Sequence, residues 1–220
     1  MKRYRTIFVS FALALASIVF AQGGAKVTID FEKFTPGAPP AGFTAHLTGQ
    51  GTPGKWEIRE DSSAPSGSKV LAQISTDATD YRFPVLVYDQ FTAKDAEVSV
   101  ACKPVGGKVD QACGLVARFA NADHYYVVRA NALENNVRLY HVIAGRRVQF
   151  AGVAHRVTSG QWHTLALEVR GSHFRVSFDG KLLFEADDKT IADAGSVGVW
   201  TKADSVTHFD KFSVVSYDPK

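Results

Sequence analysis

The chain has 220 residues, 45% of them hydrophobic, with 25 Lys and Arg against 22 Asp and Glu. Lys2, Arg3 and Arg5 account for that whole basic excess, and no acidic residue precedes Asp30, so the charges balance once the N-terminal stretch is set aside. A balanced chain lacks the basic footprint of a nucleic-acid binder, and about 200 residues of this apolar content suffice for one good core.

The first element in chain order is a processing signal. Lys2, Arg3 and Arg5 form a basic region, an apolar run follows from Ile7 to Phe20, and Val19 and Ala21 occupy the small-residue positions before Gln22-Gly23-Gly24. That three-part pattern predicts a cleaved signal peptide over residues 1–21. The run is shorter than the roughly 20 apolar residues that a spanning helix needs. The expectation is a secreted or periplasmic protein with no stable membrane insertion after cleavage, folded as a single domain over residues 26–220.

Residues 34–68 carry Pro36, Pro39, Pro40, Pro53 and Pro65 among many Gly and Ser, which predicts a loop-rich segment with one short strand at Trp56–Arg59. From about residue 70 apolar and polar residues alternate. Val98, Val100 and Cys102 share one strand face, as do Leu165, Leu167 and Val169; Phe174, Val176 and Phe178; and Leu182, Phe184 and Ala186. Side chains on a strand point alternately to its two faces, so each triplet can enter a core while its neighbours meet solvent.

Gly106-Gly107 is expected to join two strands as a hairpin, as are Ala144-Gly145-Arg146 and Asp179-Gly180, the last a strong hairpin signal. Helical periodicity is absent except for a short turn expected around Ile191 to Ala194. Many short strands separated by such turns predict an all-β, two-sheet antiparallel β-sandwich. An exported protein meets oxidising conditions, and Cys102 and Cys113 lie on the two arms of the first predicted hairpin, so a structural disulfide between them is expected.

Three stretches carry a family likeness: Gly114-Leu115-Val116-Ala117-Arg118-Phe119 with His124 to Ala130; Gly160-Gln161-Trp162-His163 running through Asp179-Gly180-Lys181; and Gly195-Ser196-Val197-Gly198-Val199-Trp200-Thr201 running into Phe209 to Phe212. Together they resemble the concanavalin A-like lectin/glucanase superfamily. They are similar to laminin G-like jelly rolls and to the bacterial 3-keto-disaccharide hydrolase domain, also called family 16 glycoside hydrolase-like. The likeness spans roughly residues 27–216 and implies a jelly-roll sandwich with a carbohydrate partner. It also implies two alternatives: a hydrolase or lyase acting on a (3-keto-)disaccharide, or a non-catalytic structural or adhesion module.

Retaining family 16 enzymes carry two catalytic Glu residues on one strand in a Glu-x-Asp-x-x-Glu pattern, about 5 Å apart. Only Glu57 and Glu60 are close here, no Asp stands between them, and their odd spacing sets them on opposite faces of a regular strand. No catalytic residue can be assigned. No two of the seven His are four apart, and His163, in phase with Leu165 and Leu167, reads as a hydrogen-bonded interior residue. No metal site or cofactor is read from spacing. Some laminin G-like modules bind calcium, which makes the loop residues Asp77, Asp80, Asp187 and Asp188 the calcium candidates that the resemblance implies.

A binding face is easier to build. Aromatic rings stack on sugar C–H faces, and planar polar groups bond to hydroxyls. Region 118–140 is dense in both. The expected ligand surface is Arg118, Tyr126, Arg129, Arg138 and Tyr140, joined by Trp200, with Arg118 in phase with Gly114 and Val116.

Overall fold

The computed structural model describes residues 26–217, so the signal peptide read over residues 1–21 lies outside the described residues. Fifteen strands follow one another: β1 (Lys26–Ile29), β2 (Phe43–Gly49), β3 (Trp56–Glu60), β4 (Lys69–Gln73), β5 (Arg82–Ala93), β6 (Ala96–Gly106), β7 (Ala112–Asn121) and β8 (His124–Asn131). The remainder are β9 (Asn136–Ile143), β10 (Arg146–Ala154), β11 (His163–Arg170), β12 (His173–Phe178), β13 (Lys181–Asp187), β14 (Gly195–Trp200) and β15 (Val206–Ser216). They form two antiparallel sheets. The eight-stranded sheet runs β13-β12-β11-β6-β15-β4-β3 with β1 added on β15, and the seven-stranded sheet runs β10-β9-β8-β7-β14-β5-β2. Among the described residues there is no helix, and the segment expected to turn at Ile191 to Ala194 is irregular chain with Ile191 buried.

The alternating triplets do what their period requires. Val98, Val100 and Cys102 of β6, Leu165, Leu167 and Val169 of β11, and Phe174, Val176 and Phe178 of β12 all enter the core between the sheets. Leu86, Leu115, Val128, Leu139 and Val199 meet them from the seven-stranded sheet. The fourth triplet breaks. A register shift between Val176 and Ser177 in the β12–β13 pair puts Leu183 against the core and leaves Leu182 exposed.

Two predicted hairpins form as read. Ala144 and Gly145 have φ of 49° and 72°, and Asp179 and Gly180 have 48° and 74°. Two successive residues at positive φ make the turn whose twist matches that of the strands it joins. The Gly106-Gly107 hairpin does not form. β6 belongs to the eight-stranded sheet and β7 to the seven-stranded one, so this connection crosses from one sheet to the other. Gly107 lies at φ 138°, and a Cβ there would stand 1.9 Å from the Asp110 carbonyl oxygen, so only glycine permits the crossing. The Cys102–Cys113 disulfide is present, with Cα atoms 6.3 Å apart. It bolts the two sheets together through the core instead of pinning a hairpin.

Segment 34–68 holds one more strand than expected. Besides β3, residues Phe43–Gly49 form β2, paired with β5 at the sheet edge. As an edge strand it leaves Thr44 and Ala45 exposed, which weakens the alternation that would have revealed it. The chain between β2 and β3 is tied down by the fully buried Arg82, whose guanidinium donates to the carbonyls of Thr52 and Pro53 and to that of Ala203.

Candidate functional site

Strand register decides which side chains share the face of the seven-stranded sheet turned away from its partner. Arg129 stands opposite Arg138, Val127 opposite Tyr140 and Tyr125 opposite Val142. Arg147 on β10 stands opposite Val142, and Trp200 on β14 opposite Val85 and Gly114. Phe83, Val116, Val127, Tyr140, Val142 and Trp200 form a second buried cluster on this face, separate from the main core.

Phe83 and Trp200 stack with ring centroids 5.3 Å apart. Over them lies the Arg147 guanidinium, its Cζ 4.5 Å from the Phe83 ring, 4.5 Å from Tyr140 and 5.5 Å from Trp200. Aromatic faces are electron-rich, so a cation sits there favourably. Tyr81, 40% exposed, packs edge-on against Phe83 at 4.7 Å. Its hydroxyl donates to the Gly145 carbonyl and accepts from the Arg147 backbone N–H, fixing the β9–β10 turn.

Charged groups border this floor. Arg129, fully buried, donates to Glu134 at 2.7 Å and to Asn136 at 2.9 Å, while Arg138 shares Glu134 at 3.7 Å. Burial pushes the Glu134 carboxyl up, but hydrogen bonds from Asn136 and Arg129 outweigh it and bring the pKa down to about 2. Lys202 bridges Asp80 at 2.7 Å and the buried Asp110 at 3.1 Å, and Asp110 also accepts from Asn131. Burial holds Asp110 above the usual carboxylate range, against the pull of Lys202 and Arg129. The Asp204 carboxylate caps the Lys108, Val109 and Asp110 N–H groups and so folds loop 107–110 down at this end of the sheet.

One pH dependence follows. The folded pKa of Glu134 lies below its unfolded value of 4.5. It therefore contributes stability that is fully present above pH 4.5 and is lost as pH falls toward 2. Glu134→Gln should flatten the acid limb of the stability–pH curve over that window. It should also cost about 1–2 kcal/mol at pH 7, a figure kept low because Glu134 is more than a third exposed. Urea unfolding at stepped pH checks both.

The expected ligand surface divides in two. Arg129, Arg138, Tyr140 and Trp200 do share the outer face, although Trp200 is fully buried and serves as floor, not as an open stacking platform. Arg118 and Tyr126 are not on it. Arg118, 3% exposed, sits at a bulge with φ 50°. Its guanidinium bonds the carbonyls of Lys94, Ile191 and Gly171 and the carboxylate of Asp95. Tyr126 points into the main core, where its hydroxyl donates to Asp188 at 2.6 Å and accepts from the Ile191 N–H. Burial, reinforced by Asp188, pushes its phenol well above the ordinary value. Both residues hold the fold. Sequence reasoning missed Arg147 and Tyr81. The Arg146-Arg147 pair after a turn glycine was the signal for the first, and Tyr81 just ahead of β5 carried none.

The four calcium candidates are each engaged by protein groups. Asp77 accepts from Thr52 and Thr79, Asp80 pairs with Lys202, Asp187 with His173, and Asp188 with Tyr126, His141 and Thr190. Among the described residues no three His, Cys, Asp or Glu side chains converge as a metal cluster. His163 is the interior residue it was read to be, bonded to Asp179 at 2.9 Å and to Thr158.

Glu57 and Glu60, expected on opposite faces, border one cleft of about 470 Å³ with Arg59 and His208, because Glu60 ends its strand. The Glu57 carboxylate is taken up by Arg59 at 3.3 Å and Lys55 at 3.6 Å. On the same sheet Asp61 is closed on itself by Lys103, Ser63 and His208, with Trp162 bonded to Ser63 beneath the Lys103 ammonium.

Two stacked antiparallel sheets, with a cross-sheet core and a second cluster on the outer face of one of them, define a concanavalin A-like jelly-roll domain. The sequence matches the family described as galactocerebrosidase, C-terminal lectin domain, over residues 53–217, and the chain belongs to that family. Similar solved structures share the fold. The carbohydrate-binding module CBM66 from Bacillus subtilis is 17% identical, with a TM-score of 0.62 over 80% of this chain and 96% of that one. A Bacillus licheniformis beta-glucanase is 12% identical, with a TM-score of 0.56 over 88% and 98%. A Bacillus subtilis protein of unknown function with a galectin-like fold is 14% identical, with a TM-score of 0.55 over 78% and 89%. No curated protein matches the chain.

Proposed function

We propose that the protein is a carbohydrate-binding module whose ligand lies on the outer face of the seven-stranded sheet, across Tyr81, Arg138, Tyr140 and Arg147. The carrying observation is Arg147, a half-buried guanidinium held over three aromatic rings and forming no ion pair among the described residues. Sugar recognition needs planar donors fixed in place next to aromatic surface. Here the Phe83–Trp200 stack fixes the donor, and Tyr81 supplies an exposed ring at the edge. Membership of a lectin-domain family supports the reading. The buried Cys102–Cys113 bridge supports export to a secreted or periplasmic location, since such bonds persist in oxidising compartments.

A glycan array probed with the purified protein and with Arg138→Ala tests this. Arg138 is 39% exposed and its ion pair is long, so its removal should leave the thermal midpoint within about 2 °C. The expected result is a hit that free glycan competes away and that weakens about ten-fold in the variant, the loss of a charged hydrogen bond. Unchanged binding by the variant would move the ligand off this face.

A further inference from the structure

The outer face holds one more cation than it can neutralise. Glu134 serves both Arg129 and Arg138, and Asp80 and Asp110 serve Lys202. Asp110, engaged by Lys202, lies near enough to favour the Arg147 charge, but no carboxylate among the described residues forms an ion pair with it and no described side chain or carbonyl accepts from its guanidinium. Its Nη1 is buried without a hydrogen-bond partner, and so is Nε of the neighbouring Arg129. A guanidinium stays protonated at any physiological pH. Ring faces offset part of its charge but accept none of its donors in the plane, where a carboxylate or sulfate meets a guanidinium through two parallel bonds.

We propose that this face selects acidic saccharides, with Arg147 receiving a carboxylate or sulfate group of the glycan while Arg138 faces its ring oxygens or a second acidic group. The inference rests on the outer-face binding reading above and names its ligand class. A neutral glycan would leave Arg147 as it is now, charged and short of acceptors. An acidic one supplies the missing charge and offers two oxygens to Nε and Nη2, the guanidinium nitrogens that are not buried. Arg is suited to the role in a way that Lys is not, because only the planar fork combines ring stacking with two-point recognition.

The test compares matched probes by titration calorimetry on the full mature protein. Trigalacturonate is set against its methyl ester, and a sulfated chondroitin tetrasaccharide against its desulfated, carboxyl-reduced form. The expected result is binding of at least one acidic probe ten-fold or more tighter than its matched neutral or desulfated form. The margin should shrink several-fold between 50 and 500 mM salt, as screening requires. Arg147→Gln should abolish the margin, and Arg147→Lys should recover only part of it. Should Arg147→Gln fail to fold, the salt series on the unaltered protein and Arg138→Gln, which should halve the margin or more, still decide. Equal affinity within each matched pair would overturn the acidic selectivity and leave the carbohydrate-binding face standing. So would an acidic preference that survives Arg147→Gln, which would leave Arg147 as a lid on the aromatic cluster. Binding to none of these probes, nor to any glycan on the array, would overturn both readings.

Discussion

Replacing Arg118 by Ala should lower stability by about 3–5 kcal/mol, the range seen when one member of a buried ion pair is removed. The guanidinium reaches three carbonyls from different parts of the fold. Lys94 lies in the β5–β6 turn, Gly171 in the β11–β12 turn and Ile191 in the irregular chain before β14, at 2.8, 2.6 and 2.6 Å. Truncation leaves these acceptors with reduced satisfaction and an empty space among the turns that the guanidinium joins. For a domain of this size the loss corresponds to a thermal midpoint about 10 °C lower. Arg118→Lys should fall between, since an ammonium keeps the charge but cannot span all three carbonyls. Glycan affinity of the folded variant, measured well below its midpoint, should be unchanged. A stability loss under about 1 kcal/mol together with lost glycan affinity would return Arg118 to the ligand surface.

The second large effect is expected from the disulfide. Cys102 and Cys113 are 11 residues apart in sequence, and closing so short a loop restricts the unfolded chain by about 3 kcal/mol on a chain-entropy argument. The geometry adds a native-state role, because the bond joins β6 of one sheet to β7 of the other inside the core. The double variant Cys102→Ala, Cys113→Ala should therefore lose about 3 kcal/mol of unfolding free energy, read as a lowered urea midpoint. Both sulfurs are fully buried, so reductant should act on the native protein only as fast as the protein opens. Equal midpoints for oxidised protein and double variant would show that the two sheets hold each other without the bridge.

The sequence reveals most where structure is local. β11 and β12 alternate without interruption, and the Asp179-Gly180 turn between them carries its own conformational signature. Registry between strands is less visible. Alternation is identical whether β6 and β7 are neighbours in one sheet or face each other across the core, so the crossing at Gly107 could not be told from a hairpin. Bulges do more damage. At Arg118 and again at Leu183, opposite Val176 and Ser177, one extra residue shifts the phase. Arg118 thereby leaves the face that Gly114 and Val116 predict for it, and Leu182 exchanges places with Leu183.

The site shows the same division. Arg129, Arg138 and Tyr140 fall on one face because their strands are consecutive and their periods agree. Arg147 was missed because its burial comes from β5 and β14, whose Phe83 and Trp200 lie more than 50 residues away along the chain. Trp200 lies on the same face but is fully buried, which its phase along β14 does not reveal. What covers it is the Phe83 ring and the Arg147 guanidinium, neither of which periodicity reports.

The most direct measurement is an NMR titration of the labelled protein with the strongest glycan from the array. Shift changes should concentrate on the amides of Arg138 to Arg147 and on the Trp200 indole N–H, and should spare β3 and β15. Changes centred instead on Glu57, Arg59 and His208 would place the ligand on the eight-stranded sheet and contradict the outer-face account.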